Sequence, residues 1–373
     1  MQQPRSKQTC PALNLNIALP PIVFLIIVSV SNAYPQAGRN YFYKGLQYGS
    51  DAIYNPISTI LNGGFGIIQL GNRDRKILNI DYRTGWKNVW DNILHPVKHI
   101  RAYGTGKFVR NEIVPTSFSL KHAQFWPNYQ NHLIGGGMTY RAMREWFEMH
   151  KYPHSPAWAL TSTMVYHLLN EVVENNSFQG TNVDPIADLL IFNPLSVLLF
   201  SSDKVSRFFG ENLNLRDWSF FPAYNPANQT LENNGQNYAI KIRLNVSTPW
   251  HLFYNFGNHG IVGLSYRGQN GRSISFGGGF MARDLVKVST EDNIQKLTTE
   301  LVWNAGLFYD RNHSLLASFI LSGARAYKGR LTIYPGVIRV AGISPALFAA
   351  LDSENNLIAG IYLTFFPIGI AAQ

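Results

Sequence analysis

The sequence predicts an α+β fold in which a helical subdomain precedes a C-terminal antiparallel β-barrel of the outer-membrane type. Three observations favour this fold class. Helical periodicity is concentrated between residues 113 and 209, and from Tyr238 onward apolar and polar residues alternate with a period of two. Charged residues make up only 14% of the chain, well below the roughly 25% of an average soluble domain. Such low charge, together with 13% aromatic residues, indicates a surface that partly faces lipid.

Residues 1–33 have the features of a secretory signal peptide. Arg5 and Lys7 form a basic start, an apolar run follows, and Ser31-Asn32-Ala33 supplies the small residues that a signal peptidase recognises. A membrane anchor is the alternative, but the uninterrupted apolar stretch 22–30 is short for a span that needs ~20 residues. We therefore expect export, with cleavage after Ala33.

Cysteine usage and charge restrict the location further. The single cysteine, Cys10, precedes the apolar run, so the exported chain would contain none. Secreted eukaryotic proteins of this size usually carry disulfides, so the pattern favours the outer membrane of a Gram-negative cell, with the periplasm as the alternative. The net charge of +10 comes from scattered residues. It suits a surface near anionic lipid and gives no indication of nucleic-acid binding.

Residues 34–112 are predicted to contain a strand and an amphipathic helix. The stretch RNYFYKGLQYGS is compatible with a strand followed by a turn. Between residues 85 and 104, Trp86, Val89, Trp90 and Ile93 recur at helical spacing. Pro96 is expected to end or kink that helix.

The helical subdomain, residues 113–209, is predicted to contain three helices. The first covers about 131–149 and the second about 156–175. The third begins at Asp184, a suitable N-cap followed by Pro185, is interrupted at Asn193-Pro194 and resumes to about Phe209. Residues 210–237 are rich in Asn, Gly and Pro without a period, and are interpreted as a linker.

Residues 238–373 are predicted to form the barrel strands. Roughly eight to ten alternating segments are separated by turn signals, and several reach the ~9–11 residues of a tilted membrane strand. The apolar odd-numbered positions of 301–309, 315–321 and 357–365 are expected to contact lipid. A soluble up-and-down barrel or sandwich would show the same alternation.

Polar residues of the helical subdomain are the candidates for chemistry. His167, Glu171 and Glu174 occupy one face of the second helix, and such a face can bind a divalent metal or perform acid–base chemistry. A solvated amphipathic face is the alternative. Asp188 lies in an apolar helix, and His132 precedes the triplet 135–137 of glycines. An unpaired buried carboxylate is costly.

The candidate catalytic residues are accordingly His132, His167, Glu171, Glu174 and Asp188. Arg141 is expected to form a structural ion pair with Glu171 and Asp188, because its planar fork can hold a carboxylate at two points. We expect all six side chains to converge where the three helices pack. The glycine triplet indicates either close helix packing or an anion cradle at a helix N-terminus.

Motifs of familiar enzymes are missing from the sequence. It contains no G-x-S-x-G elbow, phosphate-binding loop, dinucleotide fingerprint, H-E-x-x-H or thiol motif. We therefore expect no organic cofactor, and a non-enzymatic role is favoured.

The order of motifs resembles an uncharacterised bacterial envelope family. The matching elements are Asn128-x-x-x-His132 with the glycines and Tyr140-Arg141 after it, Asn170-Glu171-Val172-Val173-Glu174, and Pro185-x-x-Asp188-Leu189. These elements, within about residues 110–210, are similar to domain of unknown function 3943. Leu133 stands where that family usually has Pro, and the acidic pair is three residues apart. The resemblance implies an envelope location and a helix-plus-barrel layout, without implying a reaction.

The leading functional interpretation is an outer-membrane barrel with a helical plug or cap, in contact with outer-membrane lipid. The second is a membrane-embedded envelope lipid hydrolase or acyl-modifying enzyme that uses the His/Glu/Asp residues. The third is a soluble periplasmic binding barrel for a small molecule or lipid.

Overall fold

Helices precede a large sheet along the chain. The computed structural model describes residues 40–70, 74–114, 127–177, 182–289, 295–323 and 327–373, with side chains described outside 282–300. Within these ranges helices fall between residues 49 and 212 and the sheet strands between 216 and 372. This order confirms the α+β class with helices before a C-terminal sheet. The expected signal peptide, residues 1–33, lies outside the described residues.

The helical layer combines α-helices with wider and tighter turns. The α-helices are α1 Gly49–Ile53, α2 Pro56–Gly64, α3 Tyr82–Leu94, α4 Pro96–Tyr103, α5 Thr105–Phe108, α6 Gly136–Met149, α7 Ser155–Glu174, α8 Asp184–Ala187, α9 Asn193–Phe200 and α10 Asp203–Arg207. The π-helical segments are Val109–Ile113, Asn128–Gly135, Asp188–Phe192 and Phe208–Asn212. The 3₁₀ turns are Gly66–Gln69, Ile77–Asn79 and Gln269–Gly271.

Proline and capping residues set several helix ends as the sequence predicts. Asp81 caps α3 by accepting a hydrogen bond from the Thr84 backbone N–H at 3.0 Å. Pro96 ends α3 and starts α4, because a proline is tolerated only in the first turn of a helix. The second predicted helix is α7.

The third predicted helix differs in detail from its prediction. The N-cap residue is Val183 rather than Asp184. The chain stays helical through Asn193-Pro194 by way of a π-helical segment, and the break comes at Ser201-Ser202 instead. No single described helix is long and apolar enough to cross a membrane; one pair, Asp184–Phe200 with Asp203–Asn212, meets the length and composition test jointly across an 83° bend.

The strand predicted near residue 41 is not formed. Residues 40–48 run without regular structure, and the backbone N–H groups of Tyr41, Phe42 and Tyr43 donate to the Glu145 carboxylate at 2.8–2.9 Å. The Glu145 side chain of α6 therefore accepts the backbone hydrogen bonds that a neighbouring strand would accept if residues 41–43 formed a strand.

Thirteen strands form one sheet within the described residues. They are β1 Arg216–Asp217, β2 Ala223–Asn225, β3 Thr230–Glu232, β4 Asn237–Arg243, β5 Trp250–Gly257, β6 His259–Arg267, β7 Arg272–Ser289, β8 Gln295–Arg311, β9 Ser314–Ser322, β10 Gly329–Ile333, β11 Ala346–Leu351, β12 Leu357–Tyr362 and β13 Gly369–Ala372. The spatial order is β1-β4-β5-β6-β7-β8-β9-β10-β11-β12-β13-β2-β3. Neighbours are antiparallel except β13 and β2, which are parallel.

The stretch 210–237, interpreted from the sequence as a linker, contributes strands β1, β2 and β3. β1 pairs with β4 at one end of the strand order, and β2 pairs with β3 at the other. Between these pairs, Trp218 N donates to Asn237 O at 2.9 Å and Phe220 N to Gly235 O at 3.2 Å. The hairpin formed by residues 216–243 therefore contributes strands to both ends of the strand order.

The sheet is not closed into a barrel by its named strands. β1 and β3 stand at the two ends of an open order. The closed barrel expected from the sequence is thus replaced, in the described residues, by a large and mostly antiparallel sheet. The hairpin that both ends share requires the sheet to curve, because β1 and β2 are only a few residues apart.

Apolar side chains point outward from this sheet. The exposed large apolar residues of its strands are Ile242, Leu252, Val262, Leu264, Tyr266, Ile274, Phe276, Phe280, Leu301, Trp303, Leu307, Phe319, Leu321, Leu331, Leu351, Leu357, Ile361 and Ile370. The odd-numbered residues Leu301, Trp303, Leu307, Leu357 and Ile361 are exposed as expected, and so are Phe319, Leu321 and Phe365; their contact with lipid stays a prediction. The expectation that Leu315 faces outward is wrong, because a register shift in the β8–β9 pairing after Tyr309 places its side chain in the core.

The inward face packs around the start of the shared hairpin. Trp218 contacts the rings of Phe253 on β5 and Phe308 on β8, each with centroids 5.6 Å away. Phe221 contacts Phe348 on β11 and Tyr362 on β12. Strands from both halves of the order therefore meet the same short segment, which fills the space that they enclose.

Much of the helical layer packs against the outer face of the sheet, whereas Ile53 of α1 joins the core cluster of inward side chains. Tyr238 of β4 and Phe256 of β5 are buried in one apolar cluster with Met138 and Tyr140 of α6, on the face of β4 opposite to Ala239. The Tyr238 hydroxyl pairs with Thr139 Oγ1 at 2.8 Å. In α2, Asn62 Nδ2 donates to Phe220 O and Asn62 Oδ1 accepts from Gly235 N. The helices therefore pack on the hairpin and on the outer face of β4 and β5, and the helical plug or cap stays a prediction.

Candidate functional site

Three helical segments bring a histidine and two carboxyl groups together. His132 comes from the π-helical segment Asn128–Gly135, Glu171 from the last turns of α7, and Asp188 from the start of the π-helical segment Asp188–Phe192. One ligand atom from each residue lies within 4.8 Å of the other two. The predicted convergence of His132, Glu171 and Asp188 is therefore found.

The π-helical turns explain why these side chains meet. A π turn inserts one extra residue into a helix; such turns are rare and are frequently found at functional sites. Here two of them face each other, one carrying His132 and the other starting at Asp188. Without the extra residue in each turn, the side chains would rotate away from the space between the segments.

The His132 ring is held at both nitrogens. Its Nε2 lies 3.1 Å from Asp188 Oδ2, and its Nδ1 lies 3.1 Å from Asn193 Oδ1. Because the amide oxygen accepts, Nδ1 carries the proton and the Nε2 lone pair faces Asp188. Burial lowers the pKa of His132 to about 4, so the ring is neutral at pH 7.

The two carboxyl groups share an unfavourable environment for negative charge. Burial, followed by the repulsion of Asp184 and of Glu171 itself, holds the pKa of Asp188 well above its usual range. Burial, followed by Asp184 and Glu174, raises the pKa of Glu171 well above its usual range. Burial therefore disfavours the charged form of both His132 and Asp188.

His167 stands beside the trio. It is almost fully buried on α7, stacks on the Tyr166 ring at 4.2 Å between centroids, and has its own centroid 5.4 Å from that of His132. Burial, with a smaller contribution from His132, lowers its pKa well below the usual range. Neither ring nitrogen has a hydrogen-bond partner within the described residues.

The glycine triplet allows close packing around this site. A Cβ on Gly136 would lie 2.9 Å from His167 Nε2, and one on Gly137 would lie 2.2 Å from the Phe200 ring. On Gly135 it would meet the Tyr238 ring at 2.5 Å. Each glycine thus admits a different neighbour, which agrees with the close-packing interpretation rather than the anion cradle.

The prediction that Arg141 neutralises Glu171 and Asp188 is wrong. Arg141 Nε donates to Glu145 Oε1 at 3.1 Å and its Nη2 donates to Asp203 Oδ1 at 2.7 Å. The Arg141 side chain extends from α6 toward α10, and its guanidinium carbon lies 5.2 Å from the centroid of the Tyr41 ring. The helical spacing of the sequence does not show which neighbouring helix each face meets.

Glu174 is the other departure from the predicted cluster. It lies one turn beyond Glu171 and is partly exposed, outside the group whose ligand atoms come within 4.8 Å. Its charge still acts on Glu171, as the raised pKa shows. The structure thus brings together four of the six expected side chains, namely His132, His167, Glu171 and Asp188.

Two asparagines were missed by reasoning from the sequence. Asn193 accepts from His132, and Asn175 Nδ2 donates to Glu171 Oε2 at 3.4 Å and to the Glu171 backbone oxygen at 2.9 Å. Asn193 is fully buried, which is unusual for an amide in an apolar helix. The sequence signal for this contact is a single amide in an apolar segment, although Asn193-Pro194 is interpreted there as an interruption of the helix.

A second polar region lies inside the sheet and was also missed. Arg330 of β10 places its guanidinium 3.5 Å from the Phe220 ring centroid, beside His259 and Tyr327. The cavity that they line has a volume of about 30 Å³, room for about two water molecules. The alternation on β10, with Leu331 outward and Arg330 inward, is the sequence signal for it.

Comparison with protein-family models, with curated proteins and with solved structures finds no match to this chain. The resemblance to the envelope family therefore remains a prediction. The geometry of the sheet and of the polar cluster is the basis for proposing a function.

Proposed function

We propose that the protein resides in the outer membrane with the outer face of its sheet in contact with lipid. The observation that carries this proposal is the orientation of the sheet's apolar residues. Phe276, Leu307, Phe319 and Ile361 each expose more than two-fifths of their surface. An antiparallel sheet with one face in water turns such residues toward its core, which is the opposite arrangement.

The side chains on the inner face of the sheet also support this proposal. Small polar residues such as Ser265, Ser275, Ser318 and Thr332 are buried there. Ser275 Oγ donates to Ser265 Oγ at 2.8 Å across the β6–β7 pair. An apolar outside, with polar as well as aromatic side chains inside, is compatible with the pattern of membrane-spanning sheets.

Lipid contact requires that the sheet has no open edge, since unpaired backbone groups are not tolerated in hydrocarbon. The hairpin between residues 216 and 243 supports such closure. Its first strand meets β13, its second meets β5, and the backbone bonds of Trp218 and Phe220 connect the two halves. On this proposal the hairpin is the seam of a barrel.

The filled interior favours an anchoring or binding role over an open channel. Trp218, Phe220 and Phe221 are almost fully buried among inward side chains of the sheet. A diffusion pore requires a water-filled lumen, whereas aromatic rings occupy the centre. The sheet would then hold the helical layer at the membrane.

Burial of the polar cluster disfavours the enzyme alternative. His167, Glu171 and Asp188 are each at most 2% exposed, which suits an ion-sized ligand better than a lipid substrate.

Replacing an outward residue by arginine tests membrane residence. Ile361→Arg is expected to reduce insertion, because a charge near the midplane costs a membrane barrel ~2–4 kcal/mol. Leu363 is less suitable, because it follows the end of β12 at Tyr362. Insertion is measured as the fraction of protein that remains in carbonate-washed outer membranes and that migrates faster in unboiled gel samples.

Val246→Arg is the matched control. Val246 is an exposed apolar residue in the turn between β4 and β5, outside the strands. We expect it to insert like the unmodified protein. Release of the unmodified protein by carbonate, or equal insertion by both variants, would count against lipid contact at the sheet.

A further inference from the structure

The His132, Glu171 and Asp188 cluster has acceptor atoms without donors. Glu171 Oε1 and Asp188 Oδ1 are buried and make no hydrogen bond within the described residues, and the same holds for both ring nitrogens of His167. Buried acceptors are normally satisfied, so several in one place indicate a missing positively charged partner.

We propose that His132, Glu171 and Asp188 bind a divalent transition-metal ion. Their ligand atoms already lie within 4.8 Å of one another. Ligands that are each about 2.1 Å from one ion lie roughly 3.4 Å apart. Small side-chain rotations therefore suffice to form the site, without movement of the helices.

The donor types define the class of ion. One imidazole nitrogen with two carboxylate oxygens suits zinc, manganese or iron(II). Calcium and magnesium take oxygen ligands almost throughout, so the imidazole disfavours them. The exported chain has no cysteine to supply thiolate, which disfavours copper(I).

The surroundings already orient the ligands. With Nδ1 of His132 directed at Asn193 Oδ1, the Nε2 lone pair is presented to the site. Asn175 Nδ2 holds the second oxygen of Glu171 and leaves Oε1 free for the ion. Such outer contacts are a regular feature of metal sites, because they fix the ring tautomer and the carboxylate orientation.

This inference goes beyond membrane residence and does not depend on it. The ion would join the segment Asn128–Gly135, helix α7 and the segment Asp188–Phe192, three pieces separated along the chain. Its effect is therefore to fix the packing of the helical layer. Purified protein in detergent is sufficient for the test, so failure of either proposal leaves the other intact.

The test is reconstitution of chelator-treated full-length protein with zinc and, separately, with manganese. After desalting, elemental analysis is expected to find about one ion per chain, and the ion should raise the melting temperature. Glu171→Gln, Asp188→Asn and His132→Gln, each from a different segment, are expected to lose both the bound ion and the shift. Tryptophan fluorescence checks that each variant is folded.

Glu174→Gln is the matched control, since Glu174 is on the same helix but outside the trio. It should retain the ion and the shift in melting temperature. Failure of the unmodified protein to retain either metal would overturn the proposal. Equal retention by the three folded ligand variants would show binding elsewhere on the chain and would overturn it too.

Discussion

Around Arg141 and Glu145, buried charges of opposite sign face each other, whereas the charged neighbours that act most strongly on Glu171 and Asp188, among the described residues, are other acids. Glu145 accepts from three backbone N–H groups and from Arg141, and Arg141 also reaches Asp203. Glu171 and Asp188 each keep an oxygen without a donor. Both groups lie in the same helical layer, so location alone does not account for the difference.

The contrast separates two uses of a buried charge. A carboxylate with several donors fixes one arrangement of the chain, as Glu145 fixes residues 41–43. A buried carboxylate with few donors costs free energy, which a protein offsets by neutralising the group or by binding a ligand. Substitutions at the two places are therefore expected to have opposite consequences for stability.

Glu145→Gln is expected to have the largest effect on stability. The amide cannot accept all three backbone N–H groups, and Arg141 loses its nearest buried anion. Breaking such a buried pair destabilises by about 3–5 kcal/mol. Denaturant unfolding followed by tryptophan fluorescence measures this loss. Glu148→Gln, which affects only the partly exposed pair with Arg144, should cost at most about 1 kcal/mol.

Arg141→Ala tests the same region from its cationic side. It leaves Glu145 buried without its cation and is expected to cost about 3 kcal/mol, with Asp203 losing its partner as well. Arg144→Ala should cost about 1 kcal/mol or less. Thermal melts of the two variants, compared under one set of conditions, decide the order. Equal losses would show that the contacts of Arg141 with Glu145 and Asp203 add little.

Asn193→Ala is expected to act on the ligand rather than on the fold. Without Asn193 Oδ1 the His132 ring loses the contact that sets its tautomer, and metal affinity should fall about 10–100-fold. Zinc titration by calorimetry measures this change. Asn176→Ala removes a comparable amide bonded to a backbone oxygen on α7 and should leave the affinity unchanged.

Glu171→Gln in metal-free protein should have the smallest effect and gives the sharpest comparison. Among the described residues Glu171 forms no ion pair with a buried cation, and Asp184 and Glu174 raise its pKa. The free energy of unfolding should change by less than about 1 kcal/mol or increase. The same denaturant series as for Glu145→Gln measures it. A loss as large as that of Glu145→Gln would remove the distinction between the two regions.

Local pattern determined a substantial part of this structure. The change of period at Tyr238, the proline at 96 and the run of helical spacing in α7 correspond to elements that form as predicted. Alternation also identified the outward apolar face on β8 and β12. These features follow from residues that are neighbours in the chain, since side-chain direction repeats every 3.6 residues in a helix and every two in a strand.

Tertiary contacts decided the rest. Strands β1 to β3 are short and lack a period, so they form only because β4 and β13 supply partners. Leu315 turns inward because of a shift in pairing with β8. Strand formation depends on cross-strand neighbours more than on intrinsic preference, and those neighbours are distant in sequence.

The candidate site shows the same division. The sequence by itself identified His132, His167, Glu171 and Asp188 as polar residues that need partners in an apolar layer. Only the packed structure assigned Arg141 to Glu145, placed Asn193 against His132 and introduced the π-helical turns. The physical reason is that burial and the identity of each charge's partner depend on helices that meet in space, and helical spacing along one segment does not record them.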